Sequence, residues 1–430
     1  MHNLGCDRAS CDRRAGHRRA RQARRVGRAV LRPDLRVRRQ PGDARDRRRA
    51  EWAHVAAALG LFATLWWTWI GFALLYNRVG DDTRVADRLF VLAGTVPCAI
   101  AATQAHHAFD GHPAGFAGAL AGVRLILAAA HWWSGRGKAG VRKITWGYTA
   151  SAVLFTLSAF TPQPWVFVLW AFALVQEAGF LLLDDGGQRR RGRHGGRDTP
   201  RPSRAAKMRS LLAPSGNPGR AVDPGHLSER FGLFMILLLG ELVITVGGAA
   251  LDRPDDDLGY WLALIGGLVL AGALWWVYFT SAAEIYERML GLSGGNPALA
   301  YFLYAGGHLL PAFSLLLVAA GVDLSLHESP PVAGAWFITA GLTAYLMGTR
   351  VFSTQPRKWY MNLLQFAALA ATVNLALLRH VLSAPAVVAV IAVWAVGSAA
   401  VSARVRNGVL EDLSDNPASF FRTSERDPEA

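Results

Sequence analysis

The stretch "HLSERFGLFMILLLGELVITVGGAA", His226 to Ala250, decides what kind of fold this chain has. As a helix rising about 1.5 Å per residue it is long enough to cross a hydrocarbon core about 30 Å thick. It opens with the charged pair Glu229 and Arg230 and carries a carboxylate, Glu241, where hydrocarbon should be. Glu241 lies about 18 Å beyond Glu229, near the middle of such a core. An acid at that depth is costly, and membrane helices that keep one usually use it.

The remaining composition agrees with this start. Hydrophobic residues make up 52% of the chain and come in long blocks rather than at amphipathic spacing, which excludes an ordinary soluble enzyme. The formal net charge of +15 could suggest nucleic acid. Most of the surplus, however, sits in one tail and in the loops between apolar blocks, where positive-inside topology accounts for it. Of the three cysteines, Cys6 and Cys11 lie in the basic tail and Cys98 in an apolar block. That spacing makes neither a disulfide framework nor a metal site.

The expected fold is all-α, a polytopic transmembrane helical bundle of about 11 spans. The blocks fall near 53–76, 88–106, 115–133, 144–160, 165–183, 229–250, 258–281, 298–320, 333–350, 359–379 and 383–402. Lys and Arg in the loops alternate along the chain. Counting the block-edge residues Arg88, Arg350 and Arg379 with their loops, those after the first, third, fifth, seventh and ninth blocks carry 3, 4, 10, 1 and 3, against 0, 0, 1, 0 and 1 after the even-numbered ones. The alternation puts the 185–225 loop and the 406–430 tail in the cytoplasm of a cell whose membrane the chain crosses many times. Between these lie a first membrane half, 52–184, with five spans, and a second, 226–405, with six.

Residues 1–51 break the pattern. The first 50 hold 17 arginines and no lysine, with no hydrophobic period and no signal-peptide core, so a disordered basic tail is expected. The charge rule would put it outside, although it is the most basic segment of all. One more helix ahead of the first block removes the conflict. Arginine without lysine is also what GC-rich DNA yields when read out of frame, so the first helix is expected to be missing or replaced.

Internal similarity points the same way. "LWWTWIGFALLYNR" (Leu65 to Arg78) and "LWWVYFTSAAEIYER" (Leu274 to Arg288) each precede an apolar block with an internal proline, Pro97 or Pro311. If blocks seven to eleven repeat blocks one to five, block six has no partner in the first half. Two parallel six-helix repeats are then expected, related by an axis along the membrane normal.

The E-R-x-G-L-F…L-G-E pattern of His226 to Gly247 resembles the central motif of the bacterial low-temperature-requirement A (LtrA) family of membrane proteins. "LWWTWIGFALLYNRVGDD" (Leu65 to Asp82) is similar to the W-W-x-W…N-R segment of that family. The resemblance covers about residues 52–405. Family members begin with a helix of the type E-L-F-F-D-L-V-F-V, and nothing like it precedes Trp52. The resemblance implies a multi-pass cell-membrane protein associated with growth at low temperature, and no particular substrate.

Five ionisable residues are the candidate polar core: Glu241, Arg230, His308, Arg124 and Glu229. Arg230 and Glu241 are about 20° apart around one helix and so share a face. Arg124 and His308 fall at similar depth, and both are expected within reach of Glu241 at the midplane. Glu177 is expected to cap a helix or pair with loop arginines. The spacing of His106, His107 and His112 is poor for a metal site, and none is expected.

Phosphate-loop, zinc-protease and nucleophile-elbow motifs are absent from the sequence, and no cofactor is expected. The expected function is movement of a small solute or ion past an intramembrane carboxylate, with membrane lipids as the other partners and no nucleic acid. A membrane-embedded enzyme acting on lipid, or a structural membrane protein, is the alternative.

Overall fold

The computed structural model describes residues 44–79, 84–108, 110–135, 141–183, 221–251, 257–327, 330–349 and 359–415. The basic loop at 184–220, the tail up to residue 43 and residues 416–430 lie outside them. Every regular element among the described residues is helical. Eleven helical stretches coincide with the eleven apolar blocks: α1 (Ala44–Val79), α2 (Val85–Gln104), α3 (Ala114–Ser134), α4 (Val141–Ser158), α5 (Trp165–Leu183) and α6 (Pro224–Leu251) come first. The seventh joins α7 (Leu258–Val277) to α8 (Ala283–Leu292) through a π-helical turn, Tyr278–Ala282. The eighth joins α9 (Pro297–Ala300) to α10 (Leu309–Ser325) through another, Tyr301–Gly306. Then come α11 (Val332–Thr349), α12 (Trp359–Asn374) with a 3-10 extension, Leu375–His380, and α13 (Ala384–Asp415).

Nine helices among the described residues are long and apolar enough to cross a membrane. The other two stretches fall short for local reasons. Trp165–Phe180 is apolar but shorter, and α4 spends its first turn on Arg142 and Lys143.

The seventh stretch runs on to Leu292 rather than ending near 281, and three other boundaries differ from expectation, each with a physical cause. The basic segment Ala44–Glu51 is helical, because its Ala, Arg and Glu residues extend α1 at little cost. Asp223 starts α6 five residues early by accepting the His226 N–H at 3.0 Å, with Pro224 in the first turn. Ala403, Arg404 and Arg406 favour helix and Gly408 alone does not stop it, so α13 runs on to Asp415.

The helices form two compact units, 1–75 with 79–180, and 76–78 with 181–430. The core of the first, unit 1, centres on Phe116, Leu120, Phe155 and Trp170, with Ala101, Ala105 and Ala117 letting the backbones approach. Trp170 satisfies its indole N–H on Ser158 Oγ at 2.8 Å. In the second, unit 2, α10 and α11 are joined by a short loop and pack through glycines. A Cβ on Gly321 would stand 2.6 Å from Ile338 Cγ1, and one on Gly341 2.8 Å from Val318 Cγ2. That approach is closer than any larger residue permits.

Candidate functional site

Each unit builds its own polar centre. In unit 1 the centre is Arg124, 1% exposed, in the middle of α3. Three other helices meet it. Glu177 on α5, 2% exposed, accepts from Arg124 Nε at 3.0 Å. Thr68 Oγ1 on α1 accepts from Nη1. The Phe155 ring on α4 lies under the guanidinium, 4.7 Å from its carbon to the ring centre. In hydrocarbon neither charge is tolerable alone, so the pairing, the hydroxyl and the ring face together make both acceptable.

The pairing is only half made. Nε and Nη2 form one edge of a guanidinium and can grip both oxygens of a carboxylate. Here Nε holds Oε1, while Arg124 Nη2 and Glu177 Oε2 have no hydrogen-bond partner among the described residues. The sequence suggests that Glu177 caps a helix or pairs with loop arginines; it pairs instead with Arg124, buried in the middle of a span. The same unit buries Asp87 at the start of α2, where its carboxylate accepts from Ser134 Oγ on α3.

Unit 2 buries an imidazole among aromatic rings. His308 is 1% exposed, with its Nε2 2.9 Å from the Tyr278 hydroxyl and its Nδ1 3.0 Å from the Leu303 carbonyl. Phe231, Tyr286 and Tyr304 surround it at ring-centroid distances of 4.9, 5.3 and 5.2 Å, Tyr304 stacking nearly parallel.

The π-helical turns make this arrangement. In an unbroken α-helix Tyr278 and Tyr286, eight residues apart, would point about 80° apart around the axis. A π-turn absorbs one residue, so the pair behaves as if seven apart, about 20°. Both rings therefore face His308. The second turn ends at Gly306, where the Gly307 N–H reaches back five residues to Phe302 O at 2.9 Å. The His308 ring bonds the next carbonyl, Leu303. Leu274 to Arg288 has fifteen residues where the similar Leu65 to Arg78 has fourteen.

The remaining candidates lie on α6. Arg230 stacks on the Tyr76 ring, 4.5 Å from guanidinium carbon to ring centre, and Glu229 is exposed. Glu241 is eleven residues further, about 16 Å along the axis, so Arg230 does not balance it directly. It is half-buried and makes no hydrogen bond or ion pair among the described residues. Its helical neighbours at one turn on either side, Leu237 and Ile244, are 72% and 60% exposed, whereas Leu239, Leu242 and Val246 are buried. Glu241 thus lies on the face of α6 turned away from the core of unit 2.

The four candidates of unit 2 do not form one cluster. Arg124 is held by Glu177 and Thr68 within unit 1. Within unit 2, His308 packs on Phe231, ten residues or about 15 Å along α6 from Glu241. Thr68, Tyr278, Tyr286 and Tyr304 were missed by the sequence reading because single hydroxyls and rings in apolar blocks look like packing.

The model of the family described as bacterial low temperature requirement A protein (LtrA) matches residues 47–401. The chain belongs to the LtrA family. Both polar centres and Glu241 fall inside the matched LtrA region. Over a shorter stretch the chain is similar to an uncharacterized protein of Rhizobium meliloti (strain 1021), 28% identical over 105 residues, 24% of this chain and 25% of that one. The matched stretch therefore spans about a quarter of that relative's length. No solved structure matches the chain.

Proposed function

We propose that this LtrA protein moves a small cationic solute or ion, protons included, across the cell membrane, and that Glu241 is the carboxylate that binds it. The observation that carries this reading is the setting of Glu241. It is an acid in a helix long enough to span the membrane, without a partner among the described residues, on the outward face of its unit. A carboxylate facing lipid there would cost about 2.5–3.5 kcal/mol or more. Its presence on that face is consistent with water or a passing cation meeting it. The two other centres already satisfy their main charges internally, which suits them to hold the helices in place.

The same proposal includes the topology, with the C-terminus in the cytoplasm and two parallel repeats. The charge alternation of the loops supports the first. Supporting the second, the one-residue mismatch between the two Leu-Trp-Trp segments is the kind a π-turn absorbs. The family description links LtrA to growth at low temperature, so a strain lacking the protein is expected to grow poorly in the cold and to be rescued by it. The direct test is reconstitution into proteoliposomes with proton- and cation-sensitive dyes inside. Flux above protein-free vesicles is expected; a complete absence of proton or cation flux would sink the proposal.

A further inference from the structure

A long apolar groove runs along unit 2 between α12 and α13, far in sequence from the centres above. Its volume is about 750 Å³. Leu364, Ala368 and Leu375 form one wall, and Ala389, Val393 and Val401 the other. No charged residue among the described residues lines it. The Trp394 indole N–H, bonded to Thr372 Oγ1 at 2.8 Å, ties the two helices together. Gly397 lies in the groove, and a Cβ added there would meet nothing within 4 Å.

One end is different in character. At Gln365, Val401 and Val405 the groove joins a small recess of about 30 Å³, room for about one oxygen-sized group. Ser281, Thr349, Ser402 and Arg406 line this recess. Arg406 donates to Thr280 O at 3.0 Å and approaches Glu284 at 3.5 Å, which holds its guanidinium at the mouth.

Dimensions choose the occupant. From Ala389 to Val405 the wall is sixteen residues, about 24 Å. Half of a bilayer with its headgroups is about 20–22 Å. Along that length the groove is wide enough for a polymethylene chain.

We infer that this groove is a binding site for one membrane phospholipid, an acyl chain lying along α12 and α13 with its phosphodiester at Arg406. Apolar walls the length of a leaflet and a guanidinium at one end match a lipid at both its ends. The inference stands apart from the transport proposal and survives its failure.

Photolabelling tests it. The full chain is purified in detergent, given trace phosphatidylglycerol carrying a diazirine in its acyl chain, irradiated and digested. Label is expected on peptides covering 364–375 and 389–401. Gly397→Phe fills the groove while improving helix propensity, so the chain should stay folded and the label fall about tenfold, the equivalent of 1.4 kcal/mol. Arg406→Gln should weaken labelling without moving it. Leu363→Trp, exposed and off the groove, should leave it unchanged. The inference is overturned if monodisperse Gly397→Phe and Arg406→Gln proteins label like the parent. It is equally overturned if label spreads over all exposed apolar helices, or if a cysteine placed at Val393 cross-links to a second copy of the chain.

Discussion

Unit 1 buries a guanidinium and a carboxylate against each other, whereas unit 2 buries an imidazole among tyrosines. Both centres join several helices, yet their physics differs. The ion pair survives only as a pair, since each charge is intolerable without the other. The imidazole and its phenol can both be neutral, so their bond is worth an ordinary hydrogen bond plus ring packing. Unit 1 gains its centre from straight helices, whereas unit 2 needs two helices widened by π-turns to aim its rings.

Variants can break this contrast in order of size. Arg124→Met should have the largest effect, about 3–5 kcal/mol of stability lost, because Glu177 is left as a lone buried charge. Adding Glu177→Leu should recover part of the loss, which thermal unfolding in detergent would show. Thr68→Val leaves Nη1 without its acceptor and should cost about 1.5–3 kcal/mol by the same measurement. His308→Phe keeps the ring packing but strands the Tyr278 hydroxyl, a loss of about 1–3 kcal/mol. If His308→Phe proved as damaging as Arg124→Met, unit 2 would be holding a charge there and the contrast would fail.

The smallest effect probes the π-turn itself. Deleting Thr280 removes the residue that the π-turn absorbs, so Tyr278 and Tyr286 should lie seven apart on an unbroken α-helix and keep their alignment within about 20°. A double-mutant cycle between Tyr286→Ala and His308→Ala should then retain a coupling of about 0.5–1.5 kcal/mol. Loss of the coupling would mean that absorbing one residue is not what aims the ring.

Much of this was legible in the chain. The eleven blocks became eleven helical stretches because apolar length is a strong signal and the caps, such as Asp257 accepting from the Tyr260 N–H, are local. Arg124 stood out because arginine is rare in such blocks. Its partner did not, since nothing in the sequence says that α3 and α5 face each other fifty-three residues apart. Thr68 and the tyrosines are common membrane residues, and only three-dimensional convergence marks them. His308 and Glu241 share a predicted depth only if helix ends are placed alike. α6 starts at Pro224, and the histidine packs near that start.

Glu241 stands outside both centres, and the functional claim rests on it. The most direct test is cation- or proton-dependent flux in proteoliposomes carrying Glu241→Gln, normalised to reconstituted protein and compared with the parent. The account predicts that flux is lost while stability changes by no more than about 0.5 kcal/mol, since no partner within the described residues is disturbed. Undiminished flux through the Gln variant would contradict it.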